Sequence, residues 1–320
     1  MCSSDLLTRR LERTPTGDFV ILIAAGRGGL ALRADGIYPI RLEVSVGGEV
    51  RASITTVVNL FAPTATFTKM KVSLLVGAPA VSGRPATHPD GSIALDAAAR
   101  LALENLIAIG SAEGGPLTLA IEPEVIDGLA RSASTDDIEL LTRLEAVMQR
   151  HESAQLPYVP FDPSSAQRTG LGERFAELLV AGRDVLDVHN GDAPLNSQAW
   201  VARQPLDTDG VDLLRANDVK TIVLTPNASQ ASGSLDNYLK TYRVGPTVDT
   251  SLAVKSIDPS FAELLTGDRQ SPVVDAARIA ASLILSRSAV EGSGGDVKRL
   301  HAVLGDTRGD RKSTRLNSSH

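Results

Sequence analysis

The stretch Gly210-Val-Asp-Leu-Leu-Arg-Ala-Asn-Asp-Val-Lys-Thr-Ile-Val-Leu224 decides the fold. It reads as a helix over 210–217 that hands the chain, within a few residues, to a strand over 221–224. The same rhythm extends to both sides of it. Strands are expected at Val72 to Val76, Leu117 to Ile121, Tyr158 to Phe161, Ala199 to Arg203, Thr221 to Leu224 and Ser251 to Val254. Helices are expected at Ile93 to Ile109, Ile138 to His151, Glu173 to Leu186, Gly210 to Asn217, Phe261 to Leu265 and Val273 to Ser288. Strands alternating with helices imply an α/β domain with parallel strands. The expected architecture over 69–309 is an incomplete (β/α) barrel-like domain that stops before its last βα units, with a doubly wound sheet as the alternative.

Upstream of Lys69 the period is that of strands. Phe19-Val-Ile-Leu-Ile-Ala24 is followed by a glycine-rich turn and by Tyr38-Pro-Ile-Arg-Leu-Glu-Val-Ser-Val46, where Ile40, Leu42, Val44 and Val46 alternate with polar residues. Gly47-Gly48 separates that run from Val50 to Val58, the pattern of a β-hairpin. An antiparallel β-sandwich-like module, cut on its N-terminal side, is therefore expected over 7–62. The Pro- and Thr-rich stretch Ala62 to Thr68 serves as the linker.

Composition narrows the function classes. The chain has 320 residues, is 42% hydrophobic and 22% charged, and carries a formal net charge of -6. That profile belongs to a globular protein with a sizeable core and excludes disorder. No run approaches the roughly 18 to 20 apolar residues of a membrane-spanning helix, so no membrane span is expected within the chain. The basic residues form no stripe before the last ten positions and aromatics are only 3%, which argues against a nucleic-acid partner.

The ends read differently from the rest. Asp310-Arg-Lys-Ser-Thr-Arg-Leu-Asn-Ser-Ser-His320 is the translation of a common sequencing adapter, and the reverse complement of the same oligonucleotide, read from a GTG start, encodes Met1-Cys2-Ser3-Ser4-Asp5 and opens the codon of Leu6. Residues 1–6 and 310–320 are accordingly expected to be adapter-derived, and the remainder to be a fragment of a longer protein. Cys2 is the one cysteine in the chain. Without it there is no disulfide framework, thiol nucleophile or cysteine metal site.

Asp35-Gly-Ile-Tyr-Pro-Ile-Arg-Leu42, the hairpin ending Thr-Thr-Val-Val58, Lys71-Val-Ser-Leu-Leu-Val76 and Pro116-Leu-Thr-Leu-Ala-Ile-Glu-Pro123 together resemble a family of actinobacterial cell-envelope proteins of uncharacterised activity. The resemblance continues through Leu156-Pro-Tyr-Val-Pro-Phe-Asp-Pro163, Trp200-Val-Ala-Arg-Gln-Pro-Leu-Asp207 and Val211 to Leu224. It implies a secreted, membrane-anchored glycoprotein, an extracytoplasmic location, an anchor outside this chain, and cell-wall glycan or envelope proteins as partners. The helix-to-strand rhythm of the last segment also resembles polysaccharide deacetylases and glycoside hydrolases with distorted barrels. A deacetylase would need an Asp and two His on a metal, whereas His88, His151, His189 and His301 are widely spaced with no helical pair. No metal and no cofactor is expected.

The most repeated chemical feature is an acidic residue before proline where a strand ends: Glu122-Pro123, Asp162-Pro163 and Asp258-Pro259. Asp at a helix N-cap accepts from a free backbone N–H and Pro at the first helical position gives up no bond, so the pattern needs no chemistry. Its functional reading places Glu122, Asp162, Asp207 and Asp258 at the carboxyl ends of barrel strands, where active sites form. Two carboxylates about 5 to 10 Å apart would suit glycoside hydrolysis. Glu122, Asp162 and Asp207 are the catalytic candidates of that alternative. The favoured reading is a non-catalytic scaffold or binding module.

The remaining motifs have structural readings. The repeated Phe-Ala-Glu-Leu-Leu of Phe175 and Phe261 is the pattern of any packed amphipathic helix. Gly26-Arg-Gly-Gly29 lacks the Lys-Ser/Thr of a phosphate loop and reads as a hairpin turn. Asn190-Gly191 reads as a turn after a helix ending in His189, where a cation suits the helix dipole. Trp200 reads as core and Asn227-Ala-Ser229 as a solvated loop. No serine sits in a nucleophile elbow.

Overall fold

The structure is a computed structural model. It describes residues 30, 32, 34–62, 71–77, 86–87, 93–112, 115–229, 236–247, 250–257, 259, 272–292 and 301–305. The chain forms two compact units, Met1–Thr68 with Ser271–Leu285, and Lys69–Gln270 with Ser286–His320.

In the first unit β1 (Gly36–Val46) and β2 (Glu49–Leu60) pair antiparallel, from Gly36 opposite Leu60 to Val46 opposite Glu49. Gly47 and Gly48 both have positive φ, 63° and 87°, which a two-residue hairpin turn of the primed type requires and glycine supplies without strain. The open end is tied by Asp35, whose Oδ1 accepts from the Ala62 N–H at 2.9 Å. Arg278 of the C-terminal helix donates to the Thr55 carbonyl. The expected antiparallel module is present as this two-stranded sheet. The expected strand Phe19–Ala24 and the turn Gly26–Gly29 lie outside the described residues.

The second unit runs β3 (Lys71–Gly77), β4 (Ala86–Thr87), β5 (Ile93–Ala94), α1 (Ala97–Ser111), β6 (Thr118–Ala120), α2 (Pro123–Ala130), α3 (Thr135–Met148), β7 (Glu152–Ala154), α4 (Pro163–Arg168), α5 (Gly172–His189), β8 (Leu195–Asn196) and β9 (Ala199–Ala202). It continues with α6 (Thr208–Ala216), β10 (Thr221–Leu224), α7 (Asp236–Leu239), β11 (Tyr242–Val244), β12 (Leu252–Ser256), the last residues of α8 (Pro272–Gly292), and β13 (His301–Gly305). One sheet has the order β13-β3-β6-β7-β8 and is parallel throughout. The other has the order β11-β12-β10-β9, parallel except for its edge strand β11.

β8 and β9 are separated by Ser197 and Gln198, yet β8 pairs with β7 and β9 with β10. One stretch of chain thus serves both sheets. Alternation along the strands sorts side chains into three clusters. Val76, Leu119 and Ile121 pack outward with Leu103, Ile126, Leu144 and their neighbours from α1, α2 and α3. Trp200, Ala202, Ile222, Leu252 and Val254 pack outward with Phe175, Leu213 and Leu214 from α5 and α6. The residues between them along the strands, Leu75, Ala120, Ala154 and Val201, meet Leu156, Ile257 and Val223 in a third cluster fed by both sheets. That shared inner cluster is the interior of a partial barrel.

Two expected boundaries are corrected. The helix expected from Ile93 begins at Ala97, after the Asp96 N-cap, and Ile93–Ala94 is instead strand β5, paired antiparallel with β4. Tyr158–Phe161 is not a strand: Pro157 and Pro160 lack the N–H a ladder needs, and the Tyr158 N–H donates to the Leu178 carbonyl of α5 at 2.8 Å. The strand in that place is β7, three residues long, whose Glu152 carboxylate accepts from Thr118 Oγ1 at 2.9 Å and from Asn196 Nδ2 at 3.1 Å. The short helix α2 and strand β13 were not expected. The expected helix Phe261–Leu265 lies outside the described residues.

Candidate functional site

The carboxyl ends of the parallel strands are where the acidic candidates were expected to meet. Asp162 is the N-cap of α4, and its Oδ2 accepts from the Ser165 N–H at 2.8 Å. Asp207 is the N-cap of α6, and its Oδ1 accepts from the Gly210 N–H at 2.8 Å while Oδ2 lies 3.3 Å from Arg168 Nη1. The Gly210 N–H, with help from Ser164 and Arg168, holds the Asp207 carboxyl below its ordinary range. These two caps belong to neighbouring helices: Ser164 of α4 accepts from the Asp207 N–H at 3.1 Å, and a Cβ at Gly210 would collide with the Ser164 side chain.

Glu122 behaves differently. It occupies the N-cap position of α2 with Pro123 behind it, but its side chain caps nothing. It is only 3% exposed and forms an ion pair with Arg203, the residue after β9. Glu122 follows Ala120 by two positions and Arg203 follows Val201 by two, so both continue the inner faces of their strands. The pair therefore joins the two sheets at the carboxyl ends of β6 and β9. Arg203 keeps 37% of its side chain exposed.

Thr225 stands across the ladder from Arg203. Its N–H donates to the Ala202 carbonyl at 3.0 Å, extending the β10–β9 ladder by one residue, and it follows the inner-face Val223 by two. Among the described residues its buried Oγ1 has no hydrogen-bond partner. Further inside, Lys255 of β12 follows the inner-face pattern of Ile257 and is 5% exposed. Burial, reinforced by the like charge of Lys71, pushes its ammonium down to about 8.

On the outer side of α2, the Tyr158 hydroxyl donates to Asp127 Oδ2 at 2.6 Å, and Arg131 Nη1 lies 3.2 Å from the same oxygen. Burial, then this bond, push the Tyr158 phenol up to about 12. Two described histidines, His151 and His189, make structural contacts. His151 Nε2 meets the Gly110 carbonyl at 2.8 Å and its Nδ1 receives the Leu117 N–H at 3.4 Å, tying the end of α1 to the start of β6. His189, the last residue of α5, places Nδ1 2.7 Å from Glu145 Oε1, and Gly191 follows with φ 58° in the expected turn. His88 and Asp258 lie outside the described residues. Among the described residues, no group of three His, Cys, Asp or Glu is placed to hold a metal ion.

The structure thus sets Asp162 and Asp207 on adjacent helix N-termini and sends Glu122 to Arg203. Arg203, Thr225 and Lys255 were not singled out from the sequence. The signal for them was parity: each lies two or four residues along a strand from an inner-face apolar residue, and Lys255 interrupts the otherwise apolar run Leu252-Ala-Val254.

No protein-family model matches the chain. No curated protein matches it either. Among solved structures, it is similar to 4-alpha-glucanotransferase from Thermococcus litoralis at a TM-score of 0.43 and 12% identity, over 75% of this chain and 33% of that enzyme. The chain therefore spans about a third of that enzyme's length.

Proposed function

We propose that the chain is a non-catalytic binding or scaffold module of an actinobacterial cell envelope, working outside the cytoplasm on wall glycan or on envelope proteins. One observation carries the non-catalytic part: each acidic candidate is engaged by the fold. Asp162 and Asp207 accept from the N–H groups of their own helices, and Glu122 is paired with Arg203. Carboxylate hydrolysis requires one group free to give a proton and a second placed across the scissile bond. At the carboxyl ends of β6 and β9, the partner of the Glu122 carboxylate is the Arg203 guanidinium. The envelope location is supported by the sequence resemblance, which covers most of Gly36 to Ser288.

Co-sedimentation with purified, insoluble actinobacterial wall glycan tests this reading. The chain is expected in the pellet and to be released by excess soluble glycan fragments. A chain that stays in the supernatant with the glycan, and also with detergent-solubilised envelope protein, overturns it.

A further inference from the structure

We infer that the outer edge of β1 pairs with the same edge of a second copy of this chain, antiparallel, with Leu42 opposite Leu42 at a two-fold axis. The inference is independent of the binding-module reading. The two-residue turn at Gly47 and Gly48 closes on Val46 and Glu49, so the backbone groups of Val46 face β2. Backbone direction alternates along a strand: the groups of Val44, Leu42 and Ile40 also face β2, and those of Arg41 and Glu43 face away from it. Two observations agree. Pro39 shares the outward parity, and there its missing N–H costs the β1–β2 ladder nothing. Thr55, opposite Arg41 in register, turns its carbonyl outward to receive Arg278 of α8. That arginine meets the β2 edge, whereas the β1 edge has no ladder partner among the described residues.

Charge names the occupant. Arg41 and Glu43 stand on one face of the hairpin, exposed and 2.7 Å apart as an ion pair. Pairing about Leu42 sets Arg41 of each copy opposite Glu43 of the other, and these are the residues whose N–H and C=O groups point outward. One register thus satisfies both the ladder bonds and the charges. Centring the pair on Arg41 or on Glu43 instead sets like charge against like, and a parallel pairing sets Arg41 against Arg41, all of them unfavourable. On the opposite face Ile40 meets Val44 and Leu42 meets its own copy, apolar against apolar, where Leu42 and Val44 are exposed in the single chain. Pro39 ends the ladder beyond Arg41, because the next outward N–H is missing. The product is a continuous sheet in the order β2-β1-β1-β2. A lone hairpin is marginal in water, and added strands are what stabilise it.

Sedimentation equilibrium of the whole chain at low ionic strength tests this, on wild type, Arg41→Glu, Glu43→Arg and the exchange variant Arg41→Glu/Glu43→Arg. Wild type is expected in monomer–dimer equilibrium. Either single substitution sets like charges opposite at both symmetry-related positions and should weaken the dimer by about 10-fold or more. The exchange variant should return close to the wild-type constant. An equimolar mixture of the two single variants should form a mixed dimer, since one then carries only acid and the other only base at these positions. A single variant that failed to fold would leave the exchange variant to decide. A wild type that stays monomeric, with the edge in water or taken by another stretch of the same chain, overturns the pairing. So does a dimer that both single variants leave intact, which would put the contact on the apolar face of Leu42 and Val44. A loss that neither the exchange variant nor the mixture restores overturns it as well.

Discussion

Asp162 and Glu122 both precede a proline at the head of a helix, yet their carboxylates meet different partners, and substitution should separate them. Asp162→Ala removes one helix cap and is expected to cost about 1 kcal/mol in urea denaturation. Asp207 contributes in the same direction; because its folded carboxyl lies below the ordinary value, that contribution is full above the ordinary range and is lost as pH falls through the folded one. Arg203→Met leaves the Glu122 carboxylate buried and unpaired. It should cost about 2–4 kcal/mol, less than for a wholly buried pair because Arg203 is partly in water. The double variant Glu122→Leu/Arg203→Met should recover most of that loss; a double variant no more stable than Arg203→Met would show that the pair is not the cause. Lys255 gives the opposite pH signature to Asp207. Its ammonium titrates near 8 in the fold against an ordinary 10.5, so the unfolded chain holds more protons between those values. Stability is expected to be level below pH 8, to rise with pH across that window, and to lose the rise in Lys255→Met.

At the scale of elements, the close approach of α5 to the segment after β7 depends on Gly182. A Cβ there would run into the Leu156 carbonyl and come within 2.9 Å of the Tyr158 nitrogen, both backbone atoms that cannot turn away. Gly182→Ala should therefore destabilise by about 1–3 kcal/mol, although alanine favours a helix, as read by thermal unfolding. The same segment shows why part of the fold was not legible. Tyr158-Val-Pro-Phe161 looks like a strand because it is apolar, but the Tyr158 N–H is spent on α5 and Pro160 has none to give. Glu152-Ser-Ala154 looks like nothing, because a three-residue strand with a charged inward residue carries no hydrophobic period; its partners Thr118 and Asn196 are distant in sequence. By contrast Gly210 to Leu224 was legible, since its helix and strand each complete their pattern locally. The Asp162 cap was legible for the same reason, since it acts on an N–H group three residues away, whereas Asp207, read from the sequence as a catalytic candidate, lacks the proline that marked the pattern and caps α6. Glu122 was recognised as a strand-end acid, but its partner lies 81 positions along the chain, and only the meeting of two sheets reveals it.

For the whole molecule, the partial barrel presents strand ends of the kind on which many enzymes build catalytic sites, and here uses their acidic residues to begin helices and to join two sheets. On the proposed reading, the chain binds without turning over. The most direct test is the release of reducing ends when the intact chain is held with purified actinobacterial wall glycan, maltotetraose and tetra-N-acetylchitotetraose, beside Glu122→Gln. The expected result is no release above a protein-free control from either form. Release by the wild-type chain that Glu122→Gln abolishes would contradict the reading and make Glu122 a catalytic acid.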